Sequence, residues 1–194
     1  MKALWIVLAV LGGIVLILFF SYVSMYNTLV KLDEGAKEKF GNVQSAYQRR
    51  SDLIPNLVST VQGAANFEKS TLEAVIQARA SATQVKVDLN DAKSMQAFQA
   101  AQGELSSALS RLMVTVERYP ELKANQNFLN LQDELAGTEN RIKQARNDYN
   151  ASVKEYNTYV RGFFVSMFMS GKFPVREMFE ADKGAEKAPA VKFQ

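Results

Sequence analysis

The chain has 194 residues, with 23 Lys and Arg against 20 Asp and Glu, a net charge of +3. It contains no cysteine and no histidine, which excludes disulfides, thiolate nucleophiles, Cys/His zinc sites and Ser-His or Cys-His catalytic pairs. Basic residues alternate with acidic ones and form no stripe with stacking aromatics, so we expect no nucleic-acid partner. No Gly-rich phosphate loop occurs outside the apolar N-terminus, and we predict no cofactor.

The N-terminus is a long apolar run, "ALWIVLAVLGGIVLILFF", from Ala3 to Phe20. About 20 such residues span the hydrocarbon core of a bilayer. The run is too long for the apolar region of a cleavable signal peptide, and no small-x-small cleavage site follows it. Trp5 at one end and Tyr22 and Tyr26 at the other resemble the aromatic belts of a spanning helix. We therefore predict an uncleaved, single-pass transmembrane anchor over residues 1–26, in contact with the lipid bilayer.

The orientation of this anchor depends on the charges at its two ends. Lys31, Lys37 and Lys39 come after the apolar run, and a strict count of positive charges would place the C-terminal domain in the cytoplasm. A short positive N-terminal region directly before the run, with Lys2, is instead typical of a signal anchor that exports the C-terminal domain. We favour the second orientation, with the soluble domain on the extracytoplasmic side of the cell (inner) membrane.

The first soluble segment carries apolar residues at steps of three and four, the spacing of one helical face. Arg50 lies on this face, with Arg49 beside it in "RRSDLIPNLVSTVQG" (49–63). Because an interior proline ends or kinks a helix, we predict a hinge here. Ser51 or Asp52 would cap a new helix, and Pro55 would occupy its first turn. The predicted face consists of Tyr22, Tyr26, Leu29, Ala36, Phe40, Val43, Tyr47 and Ile54.

Three more helical stretches come later in the chain. They are predicted over about 66–82, about 92–118 and about 128–163, with a connection around "TQVKVDLNDAK" (83–93) and a break before Pro120. Long apolar stripes joined by short links indicate an antiparallel, up-and-down bundle with coiled-coil-like packing. The predicted fold class is therefore all-α, with a helical bundle over residues 27–165.

If the helices alternate in direction, the last one returns toward the bilayer and delivers "RGFFVSMFMSGKF" (161–173) there. Two interpretations remain open for its aromatic side chains. They close the bottom layer of the bundle, or they contact the membrane surface or a partner. The candidates are Phe163, Phe164 and Phe168. Residues 166–194 are predicted to be an aromatic-rich segment followed by a mobile tail.

An arginine on an apolar face usually pairs with a carboxylate, because burying it unpaired is costly. We predict that Arg50 pairs with Glu139 or Glu134 of the last long helix and fixes the register of the two helices. The alternative is a surface arginine whose aliphatic stem covers the apolar face.

Several stretches together resemble the LemA family of bacterial membrane-anchored proteins. They are "YNTLVKLDE" (26–34), "RRSDLIPNLVSTVQGAA" (49–65), "EKSTLEAVIQARA" (68–80), "YPELKANQNFLNLQDELAGTENRI" (119–142) and "ARNDYNASVKEYN" (145–157). The resemblance implies an N-terminal membrane helix and an all-helical bundle. It implies no known reaction, and one branch of the family is associated with magnetosome membranes.

These features predict a non-enzymatic, single-pass membrane protein whose bundle acts as a scaffold or assembly module. It would contact itself, as a homo-oligomer, or another membrane protein. One alternative is an adaptor that presents the bundle to a membrane protease or cell-envelope enzyme. A hydrolase is the remaining alternative, but no insertion in the bundle would build the cleft that paired carboxylates need.

Overall fold

The computed structural model describes residues 2–64, 67–169 and 171–180. Within these ranges the chain forms six helices and no strand. The all-α fold class is confirmed. The helices are α1 (Lys2–Gln62), α2 (Lys69–Gln84), α3 (Ala92–Val116), α4 (Pro120–Lys123), α5 (Gln126–Val160) and α6 (Phe163–Met169).

Helix α1 is continuous from Lys2 to Gln62, and its two parts have different environments. Its first buried residue is Leu29, and the apolar residues before it are exposed or only partly covered. It is the one helix of the described chain that is long and apolar enough to cross a membrane, judged by length and composition. From Leu29 onward, one face of the same helix enters the core at steps of three and four, as predicted.

The predicted hinge at residues 49–55 is wrong. Pro55 lies inside α1, and neither Ser51 nor Asp52 begins a new helix. Asp52 instead accepts a hydrogen bond from Gln48 Nε2 at 2.7 Å on the exposed face of α1. The chain turns back only after Gln62, so the distal end of the bundle, far from the apolar segment of α1, lies about two to three turns farther along than predicted.

The four long helices run up and down. Contacts between α1 and α5 pair Leu29 with Tyr156, and Arg50 with Glu139, so the two helices are antiparallel. Helix α3 runs parallel to α1, since its early residue Phe98 packs beside Phe40 and its later residues join the distal core. Asp91 caps α3 by accepting a hydrogen bond from the Lys93 backbone N–H, and Asn125 caps α5 in the same way.

The α2–α3 hairpin covers mainly the distal part of the α1–α5 pair, with only the start of α3 reaching farther. An extended segment, residues 173–180, runs along the proximal part, next to the apolar segment of α1. Phe179 is 5% exposed and packs among the rings of Phe40, Phe98 and Tyr149. This segment belongs to the bundle, although the sequence placed it beyond residue 165 in a separate region. Residues 181–194, in the region predicted to end in a mobile tail, lie outside the described residues.

Candidate functional site

Arg50 is the most deeply buried charged side chain among the described residues, with 1% exposure. Its Nη1 donates to Ser106 Oγ at 2.7 Å and to Glu139 Oε1 at 2.8 Å. Its Nη2 donates to the side-chain oxygen of Gln102 at 2.6 Å and to that residue's backbone carbonyl at 3.2 Å. The guanidinium also lies 5.1 Å from the centre of the Tyr47 ring. One side chain of α1 thus holds α3 and α5 in register.

The network extends to α2, because Gln102 Nε2 donates to the carbonyl of Ala82 at 3.3 Å. All four long helices therefore meet around Arg50. Glu139 is half-exposed, so the desolvation cost falls mainly on the arginine, and four acceptors and a ring contact offset it. Arg49, one residue earlier, lies 3.9 Å from Glu134 with both side chains half-exposed, a geometry that contributes little.

Pro55 leaves one carbonyl of α1 without its helical donor, and a second arginine supplies the missing hydrogen bond. A proline at position 55 has no N–H to donate to the carbonyl four residues earlier, at Ser51. Arg79 Nε of α2 donates to that carbonyl at 2.8 Å. The acceptor that would otherwise stay unpaired therefore becomes an attachment point for α2.

A second ion-pair cluster joins the extended segment to α1. Arg176 donates from Nε and Nη2 to Asp33 Oδ1, and from Nη1 to Asn90 Oδ1 at 3.0 Å. Lys37 Nζ lies 3.0 Å from the other oxygen of Asp33. Burial alone raises the pKa of Asp33, but the hydrogen bonds and positive charges of Arg176 and Lys37 outweigh it. The pKa of this carboxyl is held below its ordinary value.

Two asparagines of α5 clamp the backbone of the same segment. Asn157 donates to the carbonyl of Arg176 and accepts from its N–H, and Asn150 makes the same pair of bonds with Phe179. Asn150 and Asn157 are seven residues apart in a helix, which corresponds to about 10 Å along its axis. Arg176 and Phe179 are three residues apart in extended backbone, which also corresponds to about 10 Å, so each asparagine lies opposite its partner. Tyr149 donates its hydroxyl to the carbonyl of Glu177, and burial raises the pKa of this phenol to about 12.

Helix α6 places its aromatic residues outward. Val165 and Met169 pack against Leu29 and Val160, in a small core cluster at the end of the bundle nearest the apolar part of α1. Of the two interpretations left open, closure of the bottom layer is therefore wrong for Phe163, Phe164 and Phe168. The exposed members, which we call the α6 surface, are Phe163, Phe164, Met167 and Phe168.

The charged side chains of these clusters are engaged with one another and with neighbouring helices. Glu139 and Glu180 line a cleft of about 810 Å³ next to Arg50, but Glu139 is engaged by the arginine. In the described part of the chain, no group of three or more carboxylates is placed to hold a metal ion. The sequence did not predict the roles of Gln102, Ser106, Arg79 and Arg176. Asp33 lies on the buried face of α1, and an acid at such a position is a signal from which a cationic partner could have been inferred.

The fold and these clusters define a membrane-associated helical protein, in which one helix carries both an exposed apolar segment and a bundle face. The sequence model of the LemA family matches residues 39–193, and the chain belongs to this family.

Individual relatives are distant in sequence. Magnetosome protein MamQ 2 of Paramagnetospirillum magneticum is 28% identical over 151 residues, covering 68% of this chain and 56% of its own length. MamQ of Magnetospirillum gryphiswaldense is 27% identical over 70% of this chain and 57% of its own. Protein LemA of Metamycoplasma hominis is 24% identical over 77% of this chain and 66% of its own. The matched part thus spans little more than half of the MamQ proteins.

Proposed function

We propose that the protein is a non-enzymatic, single-pass membrane scaffold whose bundle stands on the extracytoplasmic face of the cell membrane. The observation that carries this proposal is the continuity of α1, in which no loop separates the apolar segment from the bundle. A partner held by the bundle would therefore be held at a fixed height and orientation above the membrane. An anchor that served only for attachment would not need this continuity.

The polar clusters support a scaffold because they brace helices. Arg50 connects four helices, Arg79 supplies the donor that Pro55 lacks, and Arg176 holds the extended segment. None of these side chains is presented to solvent as a catalytic group. The names of the MamQ relatives place those proteins at magnetosomes, and we carry over from them only an association with membranes.

Site-specific crosslinking tests the scaffold, because a chain without cysteine accepts single engineered thiols with no background. Suitable positions are exposed hydrophobic residues on three different helices: Ile76, Val114 and Leu129. Each is replaced by cysteine in the full chain, and native membranes are treated with a bifunctional maleimide. Self-adducts support an assembly module, and one reproducible heterologous adduct supports the adaptor alternative. Uncrosslinked monomer at all three positions contradicts both.

Orientation is tested with the same Val114→Cys variant. We expect a membrane-impermeant maleimide to label this thiol in intact spheroplasts as fully as in lysed membranes. Labelling only after lysis would place the bundle in the cytoplasm and contradict the proposed side.

A further inference from the structure

The α6 surface concentrates exposed apolar area that the rest of the bundle avoids. Phe163 and Phe164 are 73% and 63% exposed, and Met167 and Phe168 are 58% and 56% exposed. Elsewhere in the described chain beyond residue 26, Val114 is the one large hydrophobic side chain that is more than half exposed. Contiguous exposed apolar patches of this kind mark contact with a membrane or another protein.

The position of the α6 surface is fixed relative to the apolar part of α1. Phe163 and Phe164 line one cleft together with Met25 and Thr28 of α1. The ring of Phe173, just after α6, lies 5.7 Å from the ring of Tyr26. Tyr26 comes one helical turn after Tyr22, about 6 Å along the axis. If α1 spans a bilayer with these tyrosines in its interfacial belt, the α6 surface lies at the level of the headgroups.

The charges around α6 suit a lipid surface. Lys31 and Lys154 line the same cleft as the two phenylalanines, with Glu155 as the one acidic lining residue. Arg161 lies just before α6 and Lys172 just after it, and all four cationic side chains are exposed. Phenylalanine and methionine flanked by lysine and arginine are the composition of segments that lie in the membrane interface.

We propose that the α6 surface is a second membrane contact, which inserts into the headgroup and upper acyl region of the leaflet from which α1 emerges. This inference rests on the proposed membrane-spanning role of α1. A single helix leaves the bundle free to rotate about the axis of that helix and to tilt. A second contact, held to the base of the bundle by Val165 and Met169, removes both freedoms and presents one defined face to partners.

The test uses tryptophan fluorescence in the full chain, whose single tryptophan is Trp5. In a Trp5→Phe background, tryptophan is introduced as Phe164→Trp, and in separate proteins as Phe168→Trp, Phe19→Trp or Val114→Trp. Each protein is reconstituted into phosphatidylcholine vesicles with and without bromine on the upper acyl chain. Val114 is the matched control, because it is at least as exposed as the two α6 positions but belongs to the distal end of the bundle.

We expect bromolipid to reduce the emission of the Phe164→Trp and Phe168→Trp proteins by about twofold or more, as for residues inserted about 5–10 Å into the interface. The Val114→Trp protein should be unchanged. If the emission of the Phe19→Trp protein falls while both α6 variants match the Val114→Trp control, the inference is overturned and the proposed anchor stands. If none of the four is quenched, the proposed anchor fails as well. A blue-shifted but unquenched α6 tryptophan would show that a second copy covers the surface, and this also overturns the inference.

Discussion

The distal and proximal halves of the bundle are stabilised by different kinds of contact. The distal half contains aliphatic side chains of five helices, such as Leu57, Val61, Leu105 and Leu112. In the proximal half, aromatic rings and directional polar bonds hold an extended segment where a further helix would otherwise pack. Aliphatic packing is tolerant of small shifts, whereas paired hydrogen bonds require one register. The distal half thus provides a general core, and the proximal half fixes geometry close to the apolar part of α1.

Arg50 lies between the two halves, and its loss should have the largest effect. Arg50→Ala removes a buried cation and leaves Gln102 and Ser106 without their donor, so we expect a loss of about 3 kcal/mol in the free energy of unfolding. Chemical denaturation of the full chain in detergent, monitored by circular dichroism, measures it. Arg49→Ala is the matched control and should change stability by less than about 0.5 kcal/mol. Equal effects of the two substitutions would show that the hydrogen bonds of Arg50 do not stabilise the packing of the helices.

Truncation of Phe179 should release the extended segment from the proximal half of the bundle. Phe179→Ala deletes a buried ring that contacts three others, but the extended segment can detach without unfolding the helices. We therefore expect a loss of about 2 kcal/mol, less than a typical buried phenylalanine, with faster proteolysis near residues 171–180. Met178→Ala, at a side chain that is 38% exposed, should leave the cleavage rate nearly unchanged. An unaltered rate in Phe179→Ala would contradict a docked segment.

Acid should weaken the proximal half before the distal half. The pKa of Asp33 is lowered in the folded state, so its stabilising contribution is complete above the unfolded pKa of about 4 and is lost as the pH falls through the folded value. The stability of the native chain should therefore decrease on acidification below about pH 4 more steeply than that of Asp33→Asn. The comparison is made from denaturation midpoints across this pH range. Parallel pH profiles would remove Asp33 as the cause.

The smallest expected effect concerns Pro55 and Arg79 in the distal half. Arg79→Met keeps the aliphatic stem but removes the donor to the Ser51 carbonyl, which Pro55 cannot supply. In a Pro55→Ala background the helix supplies its own N–H, so the same arginine substitution should cost less. A double-mutant cycle should give a coupling of about 1 kcal/mol. Additive effects would mean that the arginine does not compensate for the proline.

The periodic parts of the chain were predictable, because a helical stripe is a local pattern. Steps of three and four in the sequence predicted the buried face of α1 from Leu29 to Ile54. The position of Arg50 on that face indicated a carboxylate partner, with Glu139 as one of two candidates. The continuity of α1 through Pro55 was not predictable, because the donor that rescues the helix comes from α2. The helix-breaking tendency of Pro55 is offset by the hydrogen bond from Arg79 to the Ser51 carbonyl, between residues 28 apart in sequence.

The extended segment was missed for a related reason. "KFPVREMFE" (172–180) has no helical or alternating period, and its partners are side chains of α5 that resemble ordinary surface asparagines. Their role becomes visible only in the folded structure, where Asn150 and Asn157 lie opposite Phe179 and Arg176 of the extended segment. The aromatic residues of the α6 surface were recognised in the sequence. Their exposure was not predictable, because it results from the packing of Val165 and Met169, and not of the phenylalanines, into the small core cluster.

The proposed scaffold depends most on the rigid continuity of α1 from its apolar segment into the bundle. The direct measurement is the distance between spin labels at Phe19→Cys and Ser59→Cys in the otherwise cysteine-free chain, reconstituted in a lipid bilayer. A continuous helix predicts one narrow distribution near about 60 Å for these roughly forty residues. A broad distribution, or one centred at a clearly shorter distance, would show that the apolar segment and the bundle move independently and would contradict the proposed scaffold.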